Sequence, residues 1–519
     1  MTSAIDDLAE PDDTGASAAH VRGSTLLLVG RLLSVGVNLV SQVLIARHLS
    51  QTDFGAFALA FAVASVGQVF ITLGLHRGAT QFFARFEEAR DHPRLVGTIL
   101  LNIAVIVGLG AMLVVGVALA QGWLTAGGVL DPTATGILLI LILLAPIDAL
   151  DDMLIALYAV FGVSRAIFVR RYLLGPGLRL AVAAVLVLAD GDATQLAIGY
   201  LLATIFGIVV YGALFVRLLE RRGVLRAVRT EPPTAPAREI LHFSVPLLTN
   251  DGVWLLVNTL PLVVLTATSG LDQVAAFQVI RPAAALNMLV ANSFYVLYLP
   301  VASRLATRPD HAASSDLYWR TAIWVAVISF PIFAVTFALG RPVAELLFGE
   351  RYGSSGTYLS ILAIAYYANA TFGFNTVTLA AHGHVRIVAL INAVSAIAGI
   401  VAALVLIPPL GALGAAISVS ATLLLQTMLL QVAQARKVRI AAIDREAARV
   451  FLIVLVAAGF LFAVDATGIL GWWTIGLAAV VSVVVLFLGR DALRVDTLFP
   501  ELRPIFERID ARRPRWTRR

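Results

Sequence analysis

An all-α polytopic membrane protein of about fourteen transmembrane helices is what this sequence predicts, and three observations predict it. The 519-residue chain is 59% hydrophobic and only 13% charged, with a mean hydropathy of +0.90. Soluble domains do not carry so large an apolar share. Apolar segments of roughly 20 residues, enough to cross a hydrocarbon core about 30 Å thick, recur along the whole chain. The arginines, finally, crowd into alternate connections between those segments, as the cytoplasmic excess of basic residues requires.

The first element, residues 1–22, is polar and acidic. A signal peptide opens on basic residues instead, so this stretch reads as a disordered cytoplasmic tail. Spans follow near 24–46, 54–75, 95–119, 135–161, 172–189, 194–216, 241–267, 274–299, 321–343, 357–380, 386–407, 411–432, 447–465 and 469–488. With the N-terminus inside, the even-numbered connections hold Arg77, Arg85, Arg90, Arg94, Arg165, Arg170, Arg171 and most later cations. The odd-numbered ones hold only Arg47 and Arg351. A missed span would invert that pattern beyond the error. Both termini are therefore expected in the cytoplasm and the protein in the cytoplasmic membrane.

The basic, proline-bearing stretch 220–239 reads as a linker between helices 1–6 (23–219) and helices 7–12 (240–436). Residues 437–489 add two helices. In 490–519 arginines alternate with Leu498, Phe499, Leu502, Ile505, Phe506 and Ile509, the pattern of a basic interfacial segment. The two halves carry a weak repeat: a shift of 221 residues superposes Gly162 on Gly383 and Arg165 on Arg386, each followed by a new apolar span. They therefore run in the same direction, as parallel repeats.

Several functions are excluded or disfavoured. Without cysteine there is no disulfide, thiol catalysis or cysteine metal site. The sequence pI is near 9.8, but the basic residues lie scattered between apolar segments, which argues for membrane topology and against nucleic acid. No catalytic constellation is evident, and the outer connections are too short for a membrane glycan polymerase or ligase.

The chain resembles the polysaccharide transporter (oligosaccharide flippase) family of the multidrug/oligosaccharidyl-lipid/polysaccharide flippase superfamily. The carriers are the opening LVGRLLSVGVNLVSQVLIARHLSQTDFGAFALA, the turn LIALYAVFGVSRAIFVRRYLLGPGLRL and REILHFSVPLL at span seven. DQVAAFQVIRPAAAL with YLPVASRL, then ELLFGERY and LGALGAAIS, continue the match in order. The resemblance implies two six-helix lobes around a central cavity, plus the two C-terminal helices. It implies alternating-access transfer of a polyprenyl-linked oligosaccharide from inner to outer leaflet, with no enzymatic step. The implied partners are that lipid, membrane lipids and polysaccharide-assembly enzymes, and the protein is expected as a monomer. A cation-coupled multidrug exporter of the same superfamily is the alternative.

Ionisable residues inside spans each need a rationale, because burying charge in a bilayer is costly. Arg281 sits in span eight beside Pro282, and Arg31 in span one. Their functional reading is phosphate binding, since a guanidinium offers planar bidentate donors at any pH; the alternative is pairing with Asp251 or the span-four acids. Asp148, Asp151 and Asp152 share one side of span four, and Asp251 lies in span seven. These acids either pair with Arg179 or Arg31 or relay a proton or sodium ion coupled to transport. No resident cofactor or metal is expected. Asn38, Gln42, Asn287, Asn292 and Asn375 are candidate sugar contacts, though amides equally tie transmembrane helices together.

Overall fold

The computed structural model describes residues 13–72, 75–126, 131–226, 231–240, 259–307, 311–441, 443–467 and 473–493. In chain order its helices are α1 (Asp13–His48), α2 (Gln51–Thr72), α3 (Leu75–Glu88), α4 (His92–Ala126), α5 (Pro132–Leu141) and α6 (Leu144–Val160). The short α7 (Ser164–Ile167) leads through a π-helical segment, Phe168–Leu174, into α8 (Gly175–Leu188), and then comes α9 (Ala193–Arg221). Next are α10 (Thr259–Ser269), α11 (Leu271–Gln278), α12 (Arg281–Ala285), α13 (Leu289–Ala306), α14 (His311–Ala338) and α15 (Gly340–Phe348). The rest are α16 (Ser355–Phe372), α17 (Phe374–Ala381), α18 (Val385–Leu410), α19 (Ala412–Lys437), α20 (Arg445–Ala466) and α21 (Trp473–Leu493).

Each predicted span carries helix. Among the described residues, 11 are long and apolar enough to cross a membrane, so this is a multi-pass membrane protein. Of the other predicted spans, α1 covers the first, α10 is the described part of the seventh, and α16 with α17 covers the tenth, interrupted at Gly373. Besides the short α7, two helices lie largely outside the predicted spans. The stretch 75–88, expected as a basic connection, folds as α3 because Ala79, Phe83 and Phe86 recur at helical spacing and bury one face. Helix α15 is amphipathic in the same way, burying Val343, Ala344 and Phe348.

Compactness divides the chain into two units. The first comprises Met1–Val279 with Ala403–Ala415, and the second Ile280–Ala402 with Ala416–Arg519. The core of the first joins Phe83 and Phe86 of α3, Leu95 and Ile99 of α4, Leu154 and Tyr158 of α6, and Tyr211 and Phe215 of α9. Tyr158 donates its hydroxyl to the Tyr211 carbonyl at 2.8 Å and meets Phe215 edge-on. The core of the second gathers Tyr298, Tyr318, Trp319, Phe374 and Val450.

The repeated turn is visible in both units. Gly162 and Gly383 have φ of 72° and 81°, a conformation that side chains disfavour and glycine adopts freely. Each ends its helix through the same pair of bonds: Gly162 N to Ala159 O and Val163 N to Tyr158 O, Gly383 N to Ala380 O and His384 N to Leu379 O. This is the 6→1 and 5→2 cap of a Schellman turn, and every bond of one copy maps onto the other by the 221-residue shift.

Candidate functional site

Helix α6 carries Asp148, Asp151 and Asp152 on one side, as their three- and four-residue spacing dictates. That side borders a cavity of about 310 Å³ within the first unit. Facing the acids are Arg170, Arg171 and Arg179, and Asn38, Phe61, Ser65 and Gln68 complete much of the wall. The site is thus built from α1, α2, α6, α9 and the π–α8 segment.

The ion pairing differs from expectation. Asp151 pairs neither with Arg179 nor with Arg31 but with Arg170, whose Nη2 and Nε lie 2.8 and 2.9 Å from the same carboxylate oxygen. Arg170 had been read as an inner-loop cation, yet its side chain is only 6% exposed. The reason is helical geometry. Arg170 and Arg179 are nine residues apart, which in an α-helix of 3.6 residues per turn places them on opposite faces. The π-helical stretch Phe168–Leu174 under-winds the chain between them, and both guanidinium groups reach one cavity. Space for Arg170 comes from Gly207 on α9, where a Cβ would stand 2.8 Å from the guanidinium carbon.

Around this pair the other groups have separate roles. Gln68 donates to Asp152 at 2.8 Å. Arg179 lies over Phe61 and Tyr200, at 5.7 and 5.8 Å from their ring centroids, a cation–π clamp that uses its charge and leaves N–H donors for other partners. Asp148 shares the cavity wall with Arg179, Asp151, Asp152 and Arg170. Among the described residues no group of three or more His, Asp or Glu is arranged to hold a metal ion.

The remaining expected residues are dispersed. Asn38 borders the cavity, Arg31 is exposed on α1, and Gln42 reaches the Gln278 carbonyl at 3.5 Å. Arg281 is half-buried at the start of α12, where Pro282 takes a first-turn position after the helix breaks at Val279–Ile280; a proline needs no N–H partner there. Asn292 is half-buried on α13. Asn287 and Asn375 are fully buried and not open to a sugar. Asn287 donates to Thr336 and to the Ala284 carbonyl, and Asn375 to the Thr427 carbonyl, so both serve helix packing. Asp251 lies outside the described residues. Sequence reasoning passed over Arg170 and Arg171 as connection cations, and Gln68 altogether.

Residues 20–306 match the family model described as polysaccharide biosynthesis protein. No curated protein matches the chain. Among solved structures, the lipid II flippase MurJ in an inward closed conformation superposes with a TM-score of 0.67 at 12% identity, over 91% of this chain and 99% of that one. An inward-facing multidrug resistance MATE family transporter of the MOP superfamily gives 0.63 at 14% identity, over 78% of this chain and 94% of that one. A MATE protein in complex with MaD3S gives 0.56 at 16%, over 80% and 95%. At such identities the likeness is one of fold. With just over half its length matched by the family model, the chain belongs to the polysaccharide biosynthesis protein family, and it carries the fold of the MOP superfamily transporters and flippases.

Proposed function

We propose that the protein is a flippase that carries a lipid-linked oligosaccharide across the cytoplasmic membrane by alternating access, for the assembly of a cell-surface polysaccharide. The observation that carries this reading is the cavity of the first unit. Three arginines and three aspartates border a space inside a bundle of apolar helices, with Asn38, Ser65 and Gln68 beside them. Charge is retained at membrane depth where it lines a substrate path. A polyprenyl carrier keeps its tail in lipid and presents a phosphate and sugars, and only that headgroup needs polar walls. Membership in a polysaccharide biosynthesis family and a fold shared with a lipid flippase support the same cargo. Export of cationic drugs fits less well, because Arg171 and Arg179 would repel them.

In this reading Arg281 and Arg31 contact the phosphate or diphosphate, and the span-four acids couple transport to a proton gradient, the arginines beside them disfavouring sodium. The alternation of arginines between connections supports a cytoplasmic position for both termini. The test is reconstitution in vesicles with a fluorescent polyprenyl-diphosphate sugar, following its accessibility from the far leaflet. Acceleration over empty vesicles is expected, and none would sink the proposal. Arg281→Ala is expected to abolish rescue of a flippase-null strain while expression persists. Full rescue would return Arg281 to a packing role.

A further inference from the structure

We infer that the cavity of the first unit is a monosaccharide subsite in which Asp148 and Arg179 hold the hydroxyl groups of one sugar ring of the cargo, not its phosphates. The inference rests on the flippase reading and adds where the sugar goes.

The hydrogen-bond inventory separates these two side chains from their neighbours. Asp151 and Arg170 satisfy each other, and Asp152 accepts from Gln68. Among the described residues Asp148 accepts no hydrogen bond, and Arg179 has only the two aromatic faces. Both border the cavity, and each is within the other's field but beyond ion-pair reach. A half-buried carboxylate and guanidinium with no protein hydrogen-bond partner depend on whatever fills the cavity to satisfy them, at some cost. The arrangement lowers that cost when a ligand between them donates to Asp148 and accepts from Arg179.

The charge count selects the class of ligand. Three arginines against three aspartates leave the walls electrically balanced. A diphosphate would meet Asp148 and Asp152 with like charge in a medium of low dielectric. A monovalent cation would meet Arg179 and Arg171 in the same way. A neutral polyol meets neither penalty. Adjacent sugar hydroxyls donate to one carboxylate, and their oxygens accept from guanidinium N–H groups. The aromatic clamp fixes the guanidinium beforehand, so little side-chain freedom is lost on binding. A volume of about 310 Å³ stands at the small end of ligand sites, which run roughly 300–1,000 Å³, and suits one ring with some water.

Full-length protein in nanodiscs, examined by saturation-transfer NMR, tests this with glucose, galactose, mannose and N-acetylglucosamine as probes. Sodium pyrophosphate and sodium chloride are the competing probes. At least one sugar is expected to bind saturably. Asp148→Asn and Arg179→Gln should each weaken it by about tenfold or more, as loss of a charge-assisted hydrogen bond implies. Unchanged thermal unfolding establishes that the variants are folded. If either fails to fold, Arg179→Lys keeps the charge, loses the planar fork and takes its place. No saturable sugar, or a sugar bound equally by wild type and variants, overturns the assignment. So does pyrophosphate or sodium bound with a dependence on Arg179 or Asp148 that the sugars lack. The two readings fail separately. Sugar binding intact without lipid transport would sink the flippase alone, and transport with sugar binding indifferent to both variants would sink the subsite alone.

Discussion

In the first unit the charged side chains Asp148, Asp151, Asp152, Arg170 and Arg179 border a cavity. In the second, several neutral side chains close on one another. Tyr298 pairs with Thr378 at 2.6 Å, Tyr318 with Gln431 at 2.5 Å, Asn287 with Thr336 at 3.0 Å and Asn369 with Thr427 at 3.3 Å. A neutral pair shares a hydrogen bond within a helix interface without needing a ligand. A charged set cannot be satisfied so simply. It keeps residual donors and acceptors, and these are what a polar cargo can use.

The largest test of this contrast is Arg170→Leu. It leaves Asp151 without its partner, and breaking such a pair costs about 3 kcal/mol or more, with Asp151 at 17% exposure placing the effect toward the lower end. A clear fall in melting temperature and loss of transport are expected, with Arg170→Leu plus Asp151→Leu recovering most of the melting temperature but not transport. A single variant as stable as wild type would remove the structural pair. Gly207→Ala is expected to cost about 1–3 kcal/mol through overpacking, because its Cβ would press on the Arg170 guanidinium. That cost should shrink in the background of Arg170→Ala, a non-additivity that a double-mutant cycle reads directly. The smallest effect belongs to the second unit. Tyr298→Phe removes one neutral hydrogen bond, about 1 kcal/mol, while Thr378 keeps its bond to the Phe374 carbonyl. Transport is expected to persist, and its loss would show that the neutral network also serves the cargo.

Much of the fold was legible because lipid imposes one rule on every span, an apolar run of sufficient length. The side of α6 that carries the acids was legible for the same reason, since α-helical spacing held through Leu144–Val160. Arg170 was not. It stands next to Arg171 in what composition reads as a basic connection, and an α-helical projection turns it away from Arg179. Only the change of helix type at Phe168 corrects the projection, and no single residue announces a π-helix. Helix α3 was missed because its arginines obscured the spacing of Phe83 and Phe86. The buried amides Asn287 and Asn375 show a third limit: sequence places an amide within a span but does not say whether its partner is a ligand or a neighbouring helix.

The paired caps at Gly162 and Gly383 bear on how the chain is made. Every bond that closes them spans five residues or fewer, so each turn can form without waiting for distant helices. An exposed arginine, Arg165 or Arg386, follows each cap at the same interval. Reversal of direction and a fixed positive charge are thus encoded together, twice, within a few residues. Each hairpin can emerge during synthesis as a separately oriented insertion unit, before either core has assembled around it.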